Sequence, residues 1–372
     1  MHTNTTLYDC AIIGGGLAGL CLAIQLKQQG HSVVLIEKNS YPLHKVCGEY
    51  ISMESWDFIQ SLGLNLSELN LPIINTLNIT AHNGYKVAAP LALGGFGISR
   101  YTLDDELATI AKNTGVTVLQ NCKATDVVLA NEQYTTTTNN GTITSKLVCG
   151  SYGKLTPNFI PQHTTKGQYI GVKYHIKTIL PIDTISLHNF NDGYCGVSKV
   201  DKDTYCMCYL TTVANLRNNN NDIKLMEKNV LMQNPHLHTL FNTATFVFDA
   251  PLVISQISFN KKKAYANNVL MLGDAAGAIA PLCGNGMSIG MRASKLLATN
   301  INLFLQHKIT KVQLVANYST QWDSNFALRI KVGYYLQQLF GKRLTTLWAL
   351  TVLNKFPKLL SKVITLTHGK PF

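Results

Sequence analysis

The stretch YDCAIIGGGLAGLCLAIQLKQQGHSVVLIEK, residues 8–38, reads as strand, glycine turn, helix, strand and acid. Residues 10–13 are a short apolar run, the pattern of a strand buried on both faces. Gly14, Gly16 and Gly19 fill the three positions of G-x-G-x-x-G, with Leu17 and Ala18 between the last two. Helical apolar spacing runs over 17–28, and Gly30 fits its stop. A β-branched run, 32–36, follows and is closed by Glu37 and Lys38. Gly14 allows the tight turn, Gly16 lets the backbone approach a pyrophosphate, and Gly19 lets helix and strand pack closely. The free N–H groups at the helix start attract phosphate. Glu37 is placed to accept hydrogen bonds from a ribose diol. The stretch therefore predicts a dinucleotide site without choosing between FAD and NAD.

A length of 372 residues suggests two closely joined domains. The nine cysteines, without zinc-type spacing, are expected to be reduced thiols in a cytoplasmic protein. No secretory signal or spanning apolar run is expected. The net charge is +12, and no acid follows Asp323. That basic end, interleaved with Leu, Phe, Tyr and Trp, suits an anionic membrane surface, an acidic carrier protein or a phosphorylated cofactor, or its helices close the substrate cavity and leave their lysines in water. No nucleic-acid motif accompanies it.

Downstream, Lys45, Cys47, Gly48 and Glu49 stand on a loop leading to a helix expected over 52–62. Runs 76–81 and 86–89, joined by Asn83-Gly84, predict a hairpin. Arg100 precedes a helix over 103–113 with Thr102 as its N-cap and acids suited to its dipole. Strands are expected over 116–119, 124–130, 132–138 and 142–148. From 167 to 251 the pattern is largely β, with strands over 169–176, 184–190, 194–199, 204–211 and 243–248 and a helix over 222–233. Val269–Leu272 then predicts a buried strand closed by Gly273-Asp274. Pro281 interrupts, and Gly284-Asn285-Gly286 opens a helix to about residue 306. Helix continues to the end with a break at Pro357.

Three blocks carry a family resemblance. They are Gly14–Gly19 with Glu37, then Lys45–Glu49 (K-x-C-G-E), and Gly273–Gly277 with Pro281 and Gly284–Gly286. With them the chain resembles the flavin-dependent p-hydroxybenzoate hydroxylase superfamily, and within it the geranylgeranyl-reductase-like branch, over about residues 8–310. The resemblance implies non-covalent FAD, with Arg100 and Asp274 at the cofactor and the helix from Gly286 aimed at the flavin. Such a helix end would stabilise negative charge on a reduced ring. Two features depart from the pattern. Residues 150–154 (Gly-Ser-Tyr-Gly-Lys) lack the usual Asp-Gly of that segment, and residues 193–198 lack the Trp and Pro of the branch's W-x-F-P segment. The Trp-rich motif and first-domain lysine of halogenases are also missing, and Trp56 stands alone.

Other residues keep two readings. Cys47 is either beside the flavin or an inert thiol. Glu49 contacts FAD or caps the following helix. Lys45 meets an anion or stands in water, one of Tyr174 and His175 faces substrate or both pack or stand exposed as strand residues, and Thr367–Gly369 is a surface tail.

The expected fold is α/β: a Rossmann-type FAD-binding domain with an antiparallel substrate-binding β-sheet and a helical C-terminal region. The divisions are 1–166 for FAD binding (with an inserted hairpin at about 74–95), 167–264 for the substrate sheet, 265–310 for the return to the FAD domain, and 311–372 for the basic helical end. The expected activity is an FAD-dependent oxidoreductase with NAD(P)H as electron donor, acting on an apolar small molecule by hydride reduction of a C=C bond. Hydroxylation, as in the flavin monooxygenases, and FAD binding without catalysis are the alternatives.

Overall fold

Alternating apolar runs and glycine turns produce two sheets in a computed structural model that describes residues 6–160, 167–257, 259, 262–280, 282 and 284–372. The chain opens with β1 (Leu7–Ile13), α1 (Leu17–Gln28) and β2 (Val33–Ile36). Next come β3 (Tyr50–Ser52), α2 (Trp56–Ser61), β4 (Ile73–Thr80), β5 (Lys86–Gly97) and α3 (Arg100–Asn113). Strands β6 (Thr117–Leu119), β7 (Ala124–Ala130), β8 (Gln133–Thr138) and β9 (Gly141–Gly150) complete the first part. The second has β10 (Tyr169–Lys177), β11 (Thr184–Phe190), β12 (Gly193–Lys199) and β13 (Tyr205–Thr212). Then come α4 (Val213–Arg217), α5 (Ile223–Asn229), α6 (Pro235–Thr243), β14 (Thr245–Phe246) and β15 (Leu252–Ile257). The chain returns through β16 (Tyr265–Ala266), β17 (Val269–Met271) and α7 (Gly286–Leu305), and ends in α8 (Lys311–Leu339), α9 (Arg343–Lys355) and α10 (Pro357–Thr367).

The first sheet runs β16-β17-β9-β1-β2-β6, with β7 and β8 joined through β9. Its centre is parallel: β1 pairs in parallel with both β2 and β9. Residues 10–13 of β1 and all of β2 are accordingly buried on both faces, as their unbroken apolar runs require. α1 is buried around most of its surface because α3 and α7 pack on it as well as the sheet.

The second sheet runs β14-β10-β13-β12-β11-β4-β5-β3, with β15 on β10. It is antiparallel except where β4 lies parallel to β11. The hairpin β4–β5 interrupts the cofactor domain in sequence, yet hydrogen bonds place it in this second sheet. A core of β10–β13 and α5–α6 covers one part of the sheet. Another, with Ile79, Leu91, Leu350, Leu353 and Leu360, joins β4, β5 and β11 to α9 and α10.

Local signals explain several departures from the expected elements. Ser99, not Thr102, caps α3: its side chain accepts from the Thr102 N–H, and the helix begins at Arg100. The helix expected over 52–62 starts instead with β3 and a single helical turn, and α2 is short. Asn234 and Pro235 start α6, so the strand expected over 243–248 is only β14. The eight described cysteines are free thiols. No described helix is long and apolar enough to cross a membrane.

Candidate functional site

The glycine turn is fixed by backbone contacts. Gly14 has φ +107°, and a Cβ there would lie 2.4 Å from the Ser151 carbonyl oxygen. A Cβ on Gly19 would lie 2.2 Å from the Gly14 carbonyl oxygen, so only glycine lets α1 approach β1 this closely. Gly15 is held from both sides. Its N–H donates to Glu37 Oε2 at 2.8 Å, and its carbonyl accepts from the Tyr41 hydroxyl at 2.6 Å. Glu37 Oε1 accepts from the Asn39 N–H and from Asn39 Nδ2, both at 3.0 Å. The acid expected to meet a ribose thus already braces the turn, and one lone pair, on Oε2, is left for a ribose hydroxyl.

Two cations converge on Gly16. Lys45 Nζ and Arg100 Nη2 each stand 4.0 Å from where a Gly16 side chain would begin. Both pair with Asp104, Arg100 through two bonds of 2.7 Å and Lys45 at 3.0 Å. Burial alone would raise the Asp104 pKa; the Arg100 charge, then Lys45, hold it below the ordinary carboxylate range. Two positive groups against one carboxylate leave net positive charge facing a bare turn and the first N–H groups of α1. This cradle, which any Cβ at Gly16 would enter, fits the diphosphate of FAD.

The cavity that opens here has a volume of about 810 Å³. Gly14 and Gly16 line it from the turn, Leu17 and Ala18 from the start of α1, and Glu37 and Lys38 from the end of β2. Lys45, Cys47, Gly48 and Arg100 form another wall, and Gly273, Asp274, Gly284, Asn285 and Gly286 form a third. Gly19 instead serves the α1–β1 contact, and Pro281 lies outside the described residues. Asp274 pairs with Lys154 at 3.4 Å, and its carbonyl accepts from Lys262 Nζ at 3.0 Å. Gly286 is the first residue of α7, whose N-terminal end lies at the cavity. Asn285 is fully buried, and its Nδ2 donates to the Thr367 carbonyl at 2.8 Å. The expected surface tail is therefore docked: Thr367 is buried, and a Cβ on Gly369 would strike the Glu54 carboxylate.

Glu49 joins the cofactor loop to the second sheet. It is fully buried with φ 57°, a conformation uncommon for a residue with a Cβ. Its carboxylate pairs with buried Lys173, accepts from His175 Nε2 at 2.6 Å, and accepts from the Arg100 N–H at 2.7 Å. The helix end it satisfies is thus that of α3, not the expected cap of the following helix. Burial would raise its pKa; the hydrogen bond from His175 and the Lys173 charge hold it below the ordinary value. Lys173 also donates to the Lys45 carbonyl at 3.2 Å. Strand β10 thereby fixes the loop that carries Lys45. Tyr174, the alternate residue, faces the other way and donates to Glu227 at 2.9 Å.

The far part of the cavity is apolar, lined among others by Leu77, Leu91, Ile185, Leu187, Leu353 and Leu360. These come from β4, β5, β11, α9 and α10. Sequence reading missed Asp104 as the shared partner of Lys45 and Arg100, although its i,i+4 spacing from Arg100 was a usable signal. Lys173 and Lys154 carried no such local signal, since their partners lie far along the chain.

A glycine cradle beside a parallel sheet, two convergent cations and an adjoining apolar chamber define a dinucleotide site that opens onto an apolar space. Residues 7–143 match the FAD binding domain family. Two curated relatives are similar over most of the chain. One is conditioned medium factor receptor 1 of Dictyostelium discoideum, 24% identical over 87% of this chain and 69% of the relative. The other is digeranylgeranylglycerophospholipid reductase of Methanococcus vannielii, 22% identical over 85% of this chain and 82% of the relative. Among solved structures, the flavin-dependent brominase Bmp2 superposes with a TM-score of 0.81 at 19% identity, covering 97% of this chain and 93% of that one. The chain thus carries an FAD binding domain over residues 7–143 and shares its overall fold with that brominase.

Proposed function

We propose that this FAD-dependent oxidoreductase reduces a carbon–carbon double bond in an apolar small molecule of lipid, isoprenoid, quinone or polyketide type. The observation that carries the reading is one continuous cavity, with a glycine-and-cation cradle at one end and an aliphatic chamber at the other. The K-x-C-G-E segment at Lys45–Glu49 and the likeness to digeranylgeranylglycerophospholipid reductase favour reduction. The cradle residues would hold FAD, which supplies hydride chemistry: a hydride drawn from NAD(P)H, the proposed donor, goes to one carbon of the double bond and a proton from solvent completes the other. Lys45 and Arg100 hold the diphosphate, and Asp104 fixes both cations in place. Glu49 anchors that loop to the substrate sheet. The N–H groups at the start of α7 stabilise negative charge facing them. The aliphatic chamber excludes water and aligns the substrate beside the cofactor.

Hydroxylation is the second reading. Residues 193–198, at the place of the branch's W-x-F-P, carry neither Trp nor Pro and so weaken the assignment of an isoprenoid. The purified flavoprotein, NADH or NADPH and candidate polyprenyl, quinone and polyketide substrates should give, without air, a product gaining two hydrogens by mass spectrometry. A product gaining one oxygen in air, with none formed anaerobically, replaces reduction by hydroxylation. Flavin that neither nicotinamide reduces marks a binding protein without this activity.

A further inference from the structure

Helices α9 and α10 have one side on the apolar chamber and another left bare. Leu353 and Leu360 line the chamber and are almost fully buried. On the outside, Leu344 is 83% exposed, Trp348 66% and Phe356 60%. Leu344 and Trp348 are one helical turn apart and share a face. Lys342, Arg343, Lys355, Lys358 and Lys362 are all exposed around them, and no acid follows Asp323 to offset their charge.

Large exposed apolar residues on a chain end with only positive charge call for a partner. The composition distinguishes two kinds. Protein interfaces are depleted in lysine, whereas helices lying on membranes combine Lys and Arg with Trp, Phe and Leu. Lysine stems lie along apolar surface while their ammonium groups reach the lipid headgroups.

We propose that the outer face of α9 and α10 docks on an anionic membrane surface, holding the roof of the apolar chamber against the bilayer. Delivery of an apolar substrate from the bilayer rests on the function proposed above; docking itself does not.

Sedimentation of the flavoprotein with vesicles tests this without any turnover. Vesicles of phosphatidylglycerol and phosphatidylcholine in equal parts should carry down at least about tenfold more protein than phosphatidylcholine alone. Each lysine near an anionic surface contributes roughly fivefold to affinity. High salt should weaken binding. The variant L344S/W348S/F356S should lose about tenfold or more of the binding, with flavin content and melting temperature unchanged. Should that variant misfold, K355E/K358E/K362E provides the same test through charge, and W348F should retain binding. No sedimentation with anionic vesicles, or folded variants that bind like the parent, would overturn the proposal. So would retention on an immobilised acidic acyl carrier protein combined with no vesicle binding.

Discussion

At one end of the cavity stand Gly14, Gly16, Lys45 and Arg100; at the other stand Leu77, Leu91, Leu353 and Leu360. The first end is set by backbone approach and by buried charges with few alternatives. A Cβ at Gly14 would strike the Ser151 carbonyl, Lys45 and Arg100 both face the bare Gly16, and Asp104 and Glu49 each serve several donors. The second end is made of interchangeable aliphatic side chains from three sheet strands and two late helices. The difference teaches where change is tolerated. Cofactor recognition rests on a few positions, whereas substrate shape is spread over many. Substitutions at the two ends should therefore separate flavin retention from substrate choice.

The largest effect is expected at Glu49. Glu49→Ala leaves Lys173 buried without its carboxylate and removes the acceptor of the Arg100 N–H. Breaking a buried pair in this way costs about 3–5 kcal/mol. Urea unfolding should show that loss, and flavin retained through gel filtration should fall sharply. Glu49→Ala with Lys173→Met should recover part of the stability, because no unpaired ammonium then remains. Wild-type flavin retention in Glu49→Ala would remove this residue from the cofactor end.

The contrast between the ends also explains what was legible in the sequence. Gly14 and Gly19 could be read because backbone contacts restrict them to glycine, and Gly16 because it completes the fixed spacing and leaves the cradle bare. The parallel strands could be read because burial on both faces leaves unbroken apolar runs. Glu49 could be noticed within Lys45–Glu49, but its partners Lys173 and His175 come from a strand more than a hundred residues away. Pairing across such distances leaves no local pattern. Asp104 was mistaken for a helix-dipole acid because that reading uses position on the helix alone. Helix α6 had its Asn234 cap and Pro235 start in plain view, but the β-branched and aromatic residues after it suggested a longer strand. The docked tail had no signal, since the Asn285–Thr367 bond joins residues 82 apart.

Acid should act next, and on the polar end. The pKa values of Glu49 and Asp104 both lie below their ordinary values in the folded protein. Such groups contribute stability fully above the unfolded carboxylate range and lose it as pH falls through the folded values. Flavin fluorescence should therefore show release setting in below about pH 4. His188 contributes a separate slope. Burial pushes its pKa down to about 3, so the unfolded chain binds one more proton between about 6.5 and that value. Stability should fall there by about 1.4 kcal/mol per pH unit. His188→Asn should flatten this slope without moving the flavin-release step.

The smallest effect on stability is expected at the apolar end. Leu360 is 4% exposed, lines the chamber, and packs with the aliphatic residues of β4 and β5. Leu360→Phe adds bulk toward a space already open, so overpacking should cost no more than about 1 kcal/mol. Flavin content should not change, because no group of the cradle touches this position. The longest accepted substrates should show a raised KM while shorter ones keep theirs, since the added ring shortens the chamber from the helical side. Competition between chain lengths, read by product mass spectrometry, measures the shift directly. Loss of flavin together with the altered chain-length profile would mean that the helical roof also positions the cofactor, and the two ends would then have to be treated as one mechanical unit.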